Sequence, residues 1–208
     1  MAIAIDTFPQ NAVANYDNVR NNLQNGDVLI CSGSGIFSSM IQQATGSIWS
    51  HVGFILRLDS IDRVMLLESV EPIGVRTIRL SKYLEDYDNH GNPYPGGLAI
   101  IRHKDFASKV DSQRLTQLVQ FAVDQFGYPY DKDEIAKIAA RILASKVIFT
   151  EEQWQKIAPD REFICSEYVA RCYEQVGLEI RWNQLGFVAP SDFAADPNFV
   201  LVAVLKQK

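Results

Sequence analysis

Cysteine and histidine are scarce in this chain of 208 residues, with three of each. Cys31, Cys165 and Cys172 form no CxxC pair, and an odd number in a chain of this size argues against a disulfide framework and leaves at least one thiol free. His51, His90 and His103 show no HxxxH spacing, so a tetrahedral zinc site would have to be gathered from distant positions. No metal and no other cofactor is expected. Apolar runs are short: the longest, such as Val200 to Leu205, fall far below the ~18 residues of a membrane-spanning helix. The start, Met1-Ala2-Ile3-Ala4-Ile5-Asp6, lacks the basic residues and apolar stretch of a secretion signal, which reads as cytoplasmic. Basic clusters are missing as well. With 20 Lys and Arg against 25 Asp and Glu, a formal charge of −5, there is no electrostatic footprint for nucleic acid. Gly33-Ser34-Gly35 is not part of a GxxxxGK[ST] sequence, so a loop shaping a cleft wall is expected there rather than a phosphate cradle.

What remains is a globular composition, 47% hydrophobic and 22% charged, long enough for one domain with a sizeable core. Asp27 to Cys31 is an apolar run between Asn25-Gly26 and the Ser/Gly stretch, the punctuation of a buried strand. Ile36, Phe37, Met40 and Ile41 recur at helical spacing before Gly46. Val52 to Leu58 and Val64 to Val70 read as a hairpin, Gly74 to Ile78 and Leu98 to Arg102 as further strands, and Asp86 to Gly97 as a surface loop rich in turn formers. Helical faces follow: Leu115 to Phe126, Ile135 to Leu143, and Cys165 to Val176 ending at Gly177, before a closing strand from Phe199 to Leu205. Strands first and helices afterwards, without a βαβ rhythm, predict an α+β fold whose largely antiparallel sheet packs against helices.

Cys165 follows Phe163-Ile164 and opens a helix, where unsatisfied backbone N–H groups and the helix dipole favour a thiolate. Position alone leaves a buried core cysteine equally open. Cys172 is too far along the same helix to bridge to it and reads as a packed core thiol, and Cys31, at a strand end, as a small buried hydrophobe. A thiolate needs a basic partner. His90 sits in the Asn/Gly/Pro loop and His103 between Arg102 and Lys104, both as expected for solvated residues, which leaves His51 at the mouth of its strand. For a lone histidine a structural role is the ordinary outcome. Glu68, within the apolar Leu66-Leu67-Glu68-Ser69-Val70 on the strand expected to pair with that of His51, is placed to orient the imidazole, with Glu71 the substitute if the register slips. Trp49, next to Ser50-His51, either lines a cleft wall, the reading its neighbour favours, or packs on the sheet, while Arg76 and Arg79 could bind a carboxylate, although exposed arginine is the ordinary outcome.

Taken together, Gly26-Asp27-Val28-Leu29, Thr45-Gly46-Ser47, Ser50-His51-Val52-Gly53, Glu68-Ser69 and Phe163-Ile164-Cys165-Ser166-Glu167-Tyr168-Val169 resemble the circularly permuted papain-like hydrolases of the NlpC superfamily, in the YiiX-like branch. In that family histidine precedes cysteine along the chain, as His51, Glu68 and Cys165 do here. The resemblance runs from Gly26 to about Gly177. It implies a single permuted papain-like domain over 1–208, with 1–25 an N-terminal extension and 128–160 a helical insertion. It implies further a cysteine peptidase or amidase in which Cys165 attacks an amide, His51 takes its proton and Glu68 orients His51. Gly127-Tyr128-Pro129-Tyr130-Asp131 resembles the family's Gly-x-x-Tyr-Asp segment, so Tyr130 either lines the cleft as a donor or packs against the sheet edge. Tyr130, Trp49 and Ser50 are the expected substrate-side or oxyanion residues, and the backbone N–H of Cys165 is the natural oxyanion donor. Ser166 and Glu167 are explained by capping and the helix dipole. The substrate implied is peptide-like or amide-containing and small, such as cell-wall-derived material. Acyl transfer from lipids through an acyl-cysteine, known in relatives of the same fold, and an inactive binding module are the alternatives.

Overall fold

The computed structural model describes residues 3–130, 164–181 and 187–207. Among them the strands are β1 (Val13–Asn15), β2 (Val28–Gly33), β3 (His51–Leu58), β4 (Arg63–Val70), β5 (Gly74–Arg79), β6 (Gly96–His103) and β7 (Phe199–Lys206). The helices are α1 (Tyr16–Val19), α2 (Ile36–Thr45), α3 (Leu80–Glu85), α4 (Phe106–Lys109), α5 (Ser112–Asp124), α6 (Cys165–Glu174) and α7 (Pro190–Ala195). The expected helix at Ile135 to Leu143, and nearly all of the expected insertion 128–160, lie outside the described residues. No helix among the described residues is long and apolar enough to cross a membrane.

The strands form one sheet in the order β1-β7-β6-β2-β3-β4-β5, antiparallel at every pairing except β1 with β7. This is the α+β architecture expected, with the segment before Gly26 adding an edge strand. The central strands are buried on both faces, which is why β2 and the middle of β4 read as continuous apolar runs. Side chains alternate between faces. Val28, Ile30, Val52, Phe54 and Leu67 meet α5 and α6 on one side, where Val169, Cys172, Tyr173 and Val176 point inward as their spacing predicts. Leu29, Cys31, Ile55, Val64 and Leu66 meet Leu80, Tyr83 and Leu84 of α3 on the other.

Local signals explain the element boundaries. Gly46 ends α2 in the left-handed region (φ 61°), and Asp111 caps α5 by accepting the Arg114 N–H at 2.8 Å. Gly74 is a glycine whose absence of a side chain is essential, because a Cβ would lie 2.0 Å from the Tyr128 carbonyl oxygen. That approach lets Val75 N–H bond Tyr128 at 2.9 Å and tie residues 127–128 to β5. His103 departs from expectation: it is buried, its Nδ1 accepts the Asp105 N–H at 3.1 Å, and its ring packs on Tyr173 and Phe199. Its charged sequence neighbours face elsewhere, Arg102 pairing with buried Asp27 at 2.6 Å.

Candidate active site

His51 is the first residue of β3 and lies opposite Cys31 of β2. The residue before it is pinned twice, Ser50 N–H to Cys31 O at 2.9 Å and Gly33 N–H to Ser50 Oγ at 3.0 Å. The imidazole is therefore delivered from a fixed backbone. Its Nε2 lies 2.8 Å from Glu68 Oε2. Glu68 has the parity of Val64 and Leu66, facing the α3 side, and its side chain has no exposed surface. Four donors surround that carboxylate. Arg76 places Nε and a terminal nitrogen each 2.9 Å from Oε1, while Tyr83 hydroxyl donates to Oε2 beside His51.

Cys165 opens α6 from the opposite layer and is 2% exposed. No side chain caps this helix, and its first internal bond runs from Tyr168 N–H to Ile164 O at 3.1 Å. The N–H groups ahead of Tyr168 leave the positive end of the helix dipole at the sulfur. Ser166 is not a cap, contrary to expectation: its hydroxyl donates to Val188 O at 2.6 Å and fastens α6 to the segment before α7. Cys165 hydrogen-bonds His51, and since Nε2 is engaged by Glu68, the ring nitrogen left for the sulfur is Nδ1.

Electrostatics set the charges of His51 and Glu68 and keep Cys31 and Cys172 neutral. Burial alone would push His51 down, but the charge and hydrogen bond of Cys165 and those of Glu68 overcome it and raise its pKa to about 10. For Glu68, burial pushes upward and is outweighed by His51, Arg76 and Tyr83, leaving the carboxyl below its ordinary 4.5. Burial, reinforced by the Glu68 and Cys165 charges, holds Cys31 well above the usual thiol range, and burial does the same for Cys172. Those two remain thiols.

Two cavities flank the pair. One, with about 20 Å³ open to water, is lined by Cys165 with Met40, Ile41, Ala44, Ile164, Phe187 and Pro190. The other, about 120 Å³, lies on the histidine side and includes Ser50, His51, Ser69, Glu71, Tyr87 and Tyr94. Tyr130 and Ile41 border both, so Tyr130 stands in the cleft. Ser50 reaches the second cavity, with its hydroxyl already engaged in bracing the loop. Trp49 is a correction. It is fully buried, donates Nε1 to Ala4 O at 2.9 Å and packs on Phe8 in the core, because the N-terminal segment, which sequence periodicity did not place, covers it.

Cys165, His51 and Glu68 are thus brought together; Arg76 joins them by binding a carboxylate, the less ordinary of its two readings, and Tyr83 joins them unanticipated. The signal for Arg76 was available only through register, since it is the direct cross-strand partner of Glu68. Tyr83 sits on a six-residue helix too short for a periodicity signal.

The fold has a counterpart among solved structures. The crystal structure of metalloprotein yiiX from Escherichia coli O157:H7 superposes with a TM-score of 0.60 at 20% identity, covering 89% of this chain and 98% of that one. Metalloprotein is that neighbour's description. In the present chain no group of three or more His, Cys, Asp or Glu side chains among the described residues is placed to hold a metal ion. Among curated proteins none matches the chain. Residues 22–202, nearly the whole sheet together with α6, match the model of the C92 family, the permuted papain-like amidase enzymes YaeF/YiiX, and the chain belongs to that family.

Proposed function

We propose that this chain is a cysteine hydrolase that cleaves an amide bond, peptide or isopeptide, through an acyl-cysteine. The observation that carries the reading is the line Cys165, His51, Glu68, in which Glu68 holds one ring nitrogen at 2.8 Å and the other is left to the sulfur at a helix start. Cys165 Sγ, its proton held by His51, attacks the carbonyl carbon; the S–C bond forms as the π pair moves onto oxygen. The oxyanion is received by the Cys165 backbone N–H and the Tyr130 hydroxyl. Collapse breaks the C–N bond, and the leaving amine takes the proton from His51. Water then gives a proton to His51 and attacks the thioester carbonyl; the S–C bond breaks, its electron pair returns to the sulfur, and the acid leaves with the pair restored. Glu68 holds the ring throughout and stabilises the imidazolium.

The apolar lining beside Cys165 favours a second reading, acyl transfer or thioester hydrolysis on an aliphatic acyl group at the same thiol. The test is iodoacetamide alkylation mapped separately at Cys31, Cys165 and Cys172 in the wild type and in His51→Ala, followed by turnover of matched amide, ester and thioester substrates. Selective, His51-dependent alkylation of Cys165 with turnover of the amide supports hydrolysis. Turnover of thioesters alone favours the second reading, and an inert Cys165 means a binding module on a hydrolase fold.

A further inference from the structure

We propose that Arg76 and Tyr83 are positioning residues of the reaction, which together lock the Glu68 carboxylate and so fix His51 with Nε2 protonated and Nδ1 free to serve Cys165. This rests on the reading of Cys165 and His51 as nucleophile and base. Its physical basis is the division of donors between the two carboxylate oxygens. Arg76 bonds only Oε1, through two N–H groups at 2.9 Å, whereas Tyr83 and His51 bond only Oε2. A carboxylate held by His51 alone can swing about its terminal bond at little cost. Here any such rotation breaks every contact at once.

Tyr83 does a second thing. Its hydroxyl oxygen also lies 3.5 Å from His51 Nε2. The hydroxyl has one proton, and it is spent on Glu68. Both oxygens near Nε2 are therefore acceptors, so the neutral ring must carry its proton on Nε2, and Nδ1 is the lone pair offered to the thiol. The ring of Tyr83 is itself immobile. It is fully buried, stacked on Tyr94 at a centroid distance of 5.2 Å and met edge-on by Tyr87 at 4.8 Å. Arg76 is held in turn by strand pairing, its Cα directly across β4 from Glu68. The result is a row of guanidinium, carboxylate and imidazole leading to Cys165, with Tyr83 as the neutral wedge.

The groups facing Glu68 are His51 from β3, Arg76 from β5 and Tyr83 from α3, with Cys31 of β2 and Tyr87 nearby and kept uncharged by burial and by the Glu68 charge. Arg76 is the only cation among them besides His51. Its loss raises the carboxyl and with it the acid limb of Cys165 alkylation. The test is the pH profile of Cys165 alkylation by iodoacetamide in the wild type, Arg76→Met, Arg76→Lys, Tyr83→Phe and His51→Ala, alongside the 15N spectrum of His51. In Arg76→Met the acid limb is expected to move up by about one pH unit or more, and Arg76→Lys, which keeps the charge, to restore most of that. Tyr83→Phe is expected to slow neutral-pH alkylation about tenfold and, above about pH 10 where the ring is neutral, to give a mixture of Nδ1–H and Nε2–H signals where the wild type shows Nε2–H alone. Folded variants with unchanged limbs and an unchanged tautomer overturn the proposal while leaving the base reading intact. If instead the wild-type profile ignores His51→Ala, the base reading fails and this one with it. Should Arg76→Met not fold, Arg76→Gln, polar but uncharged, replaces it in the pH profile and Tyr83→Phe decides through the tautomer.

Discussion

Replacing Glu68 with glutamine tests the charge assignment at its most sensitive point, the proton on His51. The wild-type imidazole is lifted from 6.5 to about 10. At about 1.4 kcal/mol per pH unit, that gap is worth on the order of 5 kcal/mol in favour of the imidazolium. Burial opposes it, so the combined pull of Cys165 and Glu68 is larger still. Glutamine removes the carboxylate charge and, with an NH2 where Oε2 stood, opposes a donor to the Nε2–H. The expected fall in the His51 pKa is about one to three units, the range for losing an opposite charge in contact. The ring is also driven to protonate Nδ1, which denies the thiol its acceptor. The wrong tautomer in such a triad is worth a factor of about 10⁴ in turnover. The chain suits an NMR measurement, since His51, His90 and His103 are its three histidines. His103, which burial pulls below 6.5, serves as the internal contrast. With labelled histidine, the wild type should hold His51 as imidazolium through neutral pH and release the proton near 10, and the variant well below that. A wild-type His51 that titrates at or below 6.5, or one that ignores the glutamine, refutes the reasoning.

Other consequences can be checked with ordinary stability measurements. Gly74→Ala forces a side chain into the left-handed region (φ 90°) and onto the Tyr128 carbonyl, so a loss of at least about 2 kcal/mol in denaturant unfolding is expected; a loss within about 0.5 kcal/mol would contradict the packing of 127–128 on β5. Asp27→Asn breaks the buried pair with Arg102, whose side chain is 26% exposed and can rehydrate. That places the cost near the lower end, about 2 to 3 kcal/mol, or roughly 4 to 12 °C in Tm, with Cys165 alkylation unchanged at 25 °C. Glu68 is held below 4.5 in the folded chain, so the stability it contributes is complete above that value and is lost as pH falls through the depressed one. Wild-type stability should therefore decline more steeply on acidification below 4.5 than that of Glu68→Gln, and parallel declines would mean that the carboxylate is not favoured by folding.

Much of this was legible because the relevant signals are local. A cysteine after two apolar residues and before a helical face, a histidine after a short Gly/Ser loop, and a carboxylate inside an apolar strand each violate the surrounding pattern, and all three meet at one site. What failed was long-range. Trp49 sits beside His51 in sequence, yet its burial is decided by Ala4 and Phe8, more than forty residues away. His103 reads as solvated from its neighbours Arg102 and Lys104, but Tyr173 and Phe199 cover it. Arg76 shows no departure from an exposed arginine until the β4–β5 register puts it across from Glu68. The apolar spacing in α2 predicted the helix correctly but not its surroundings: Ile36 is 83% exposed, and Met40 and Ile41 border the cleft instead of the core.

The arrangement also gives a physical reason why chain order is free in such a fold. Glu68 belongs to the sheet face covered by α3, whereas Cys165 belongs to α6 on the opposite face. His51, at the end of a central strand, is where the two layers can touch without passing through the sheet. Each of the three side chains is held by its own element, and the elements are held by strand pairing and core packing, not by the loops that join them. Cutting and rejoining those loops moves no member of the site. β1 lies beside β7 in parallel register, Val13 against Val204, so the first and last strands are already neighbours. A site built in this way depends on which strands adjoin, and an order with histidine ahead of cysteine costs it nothing in geometry.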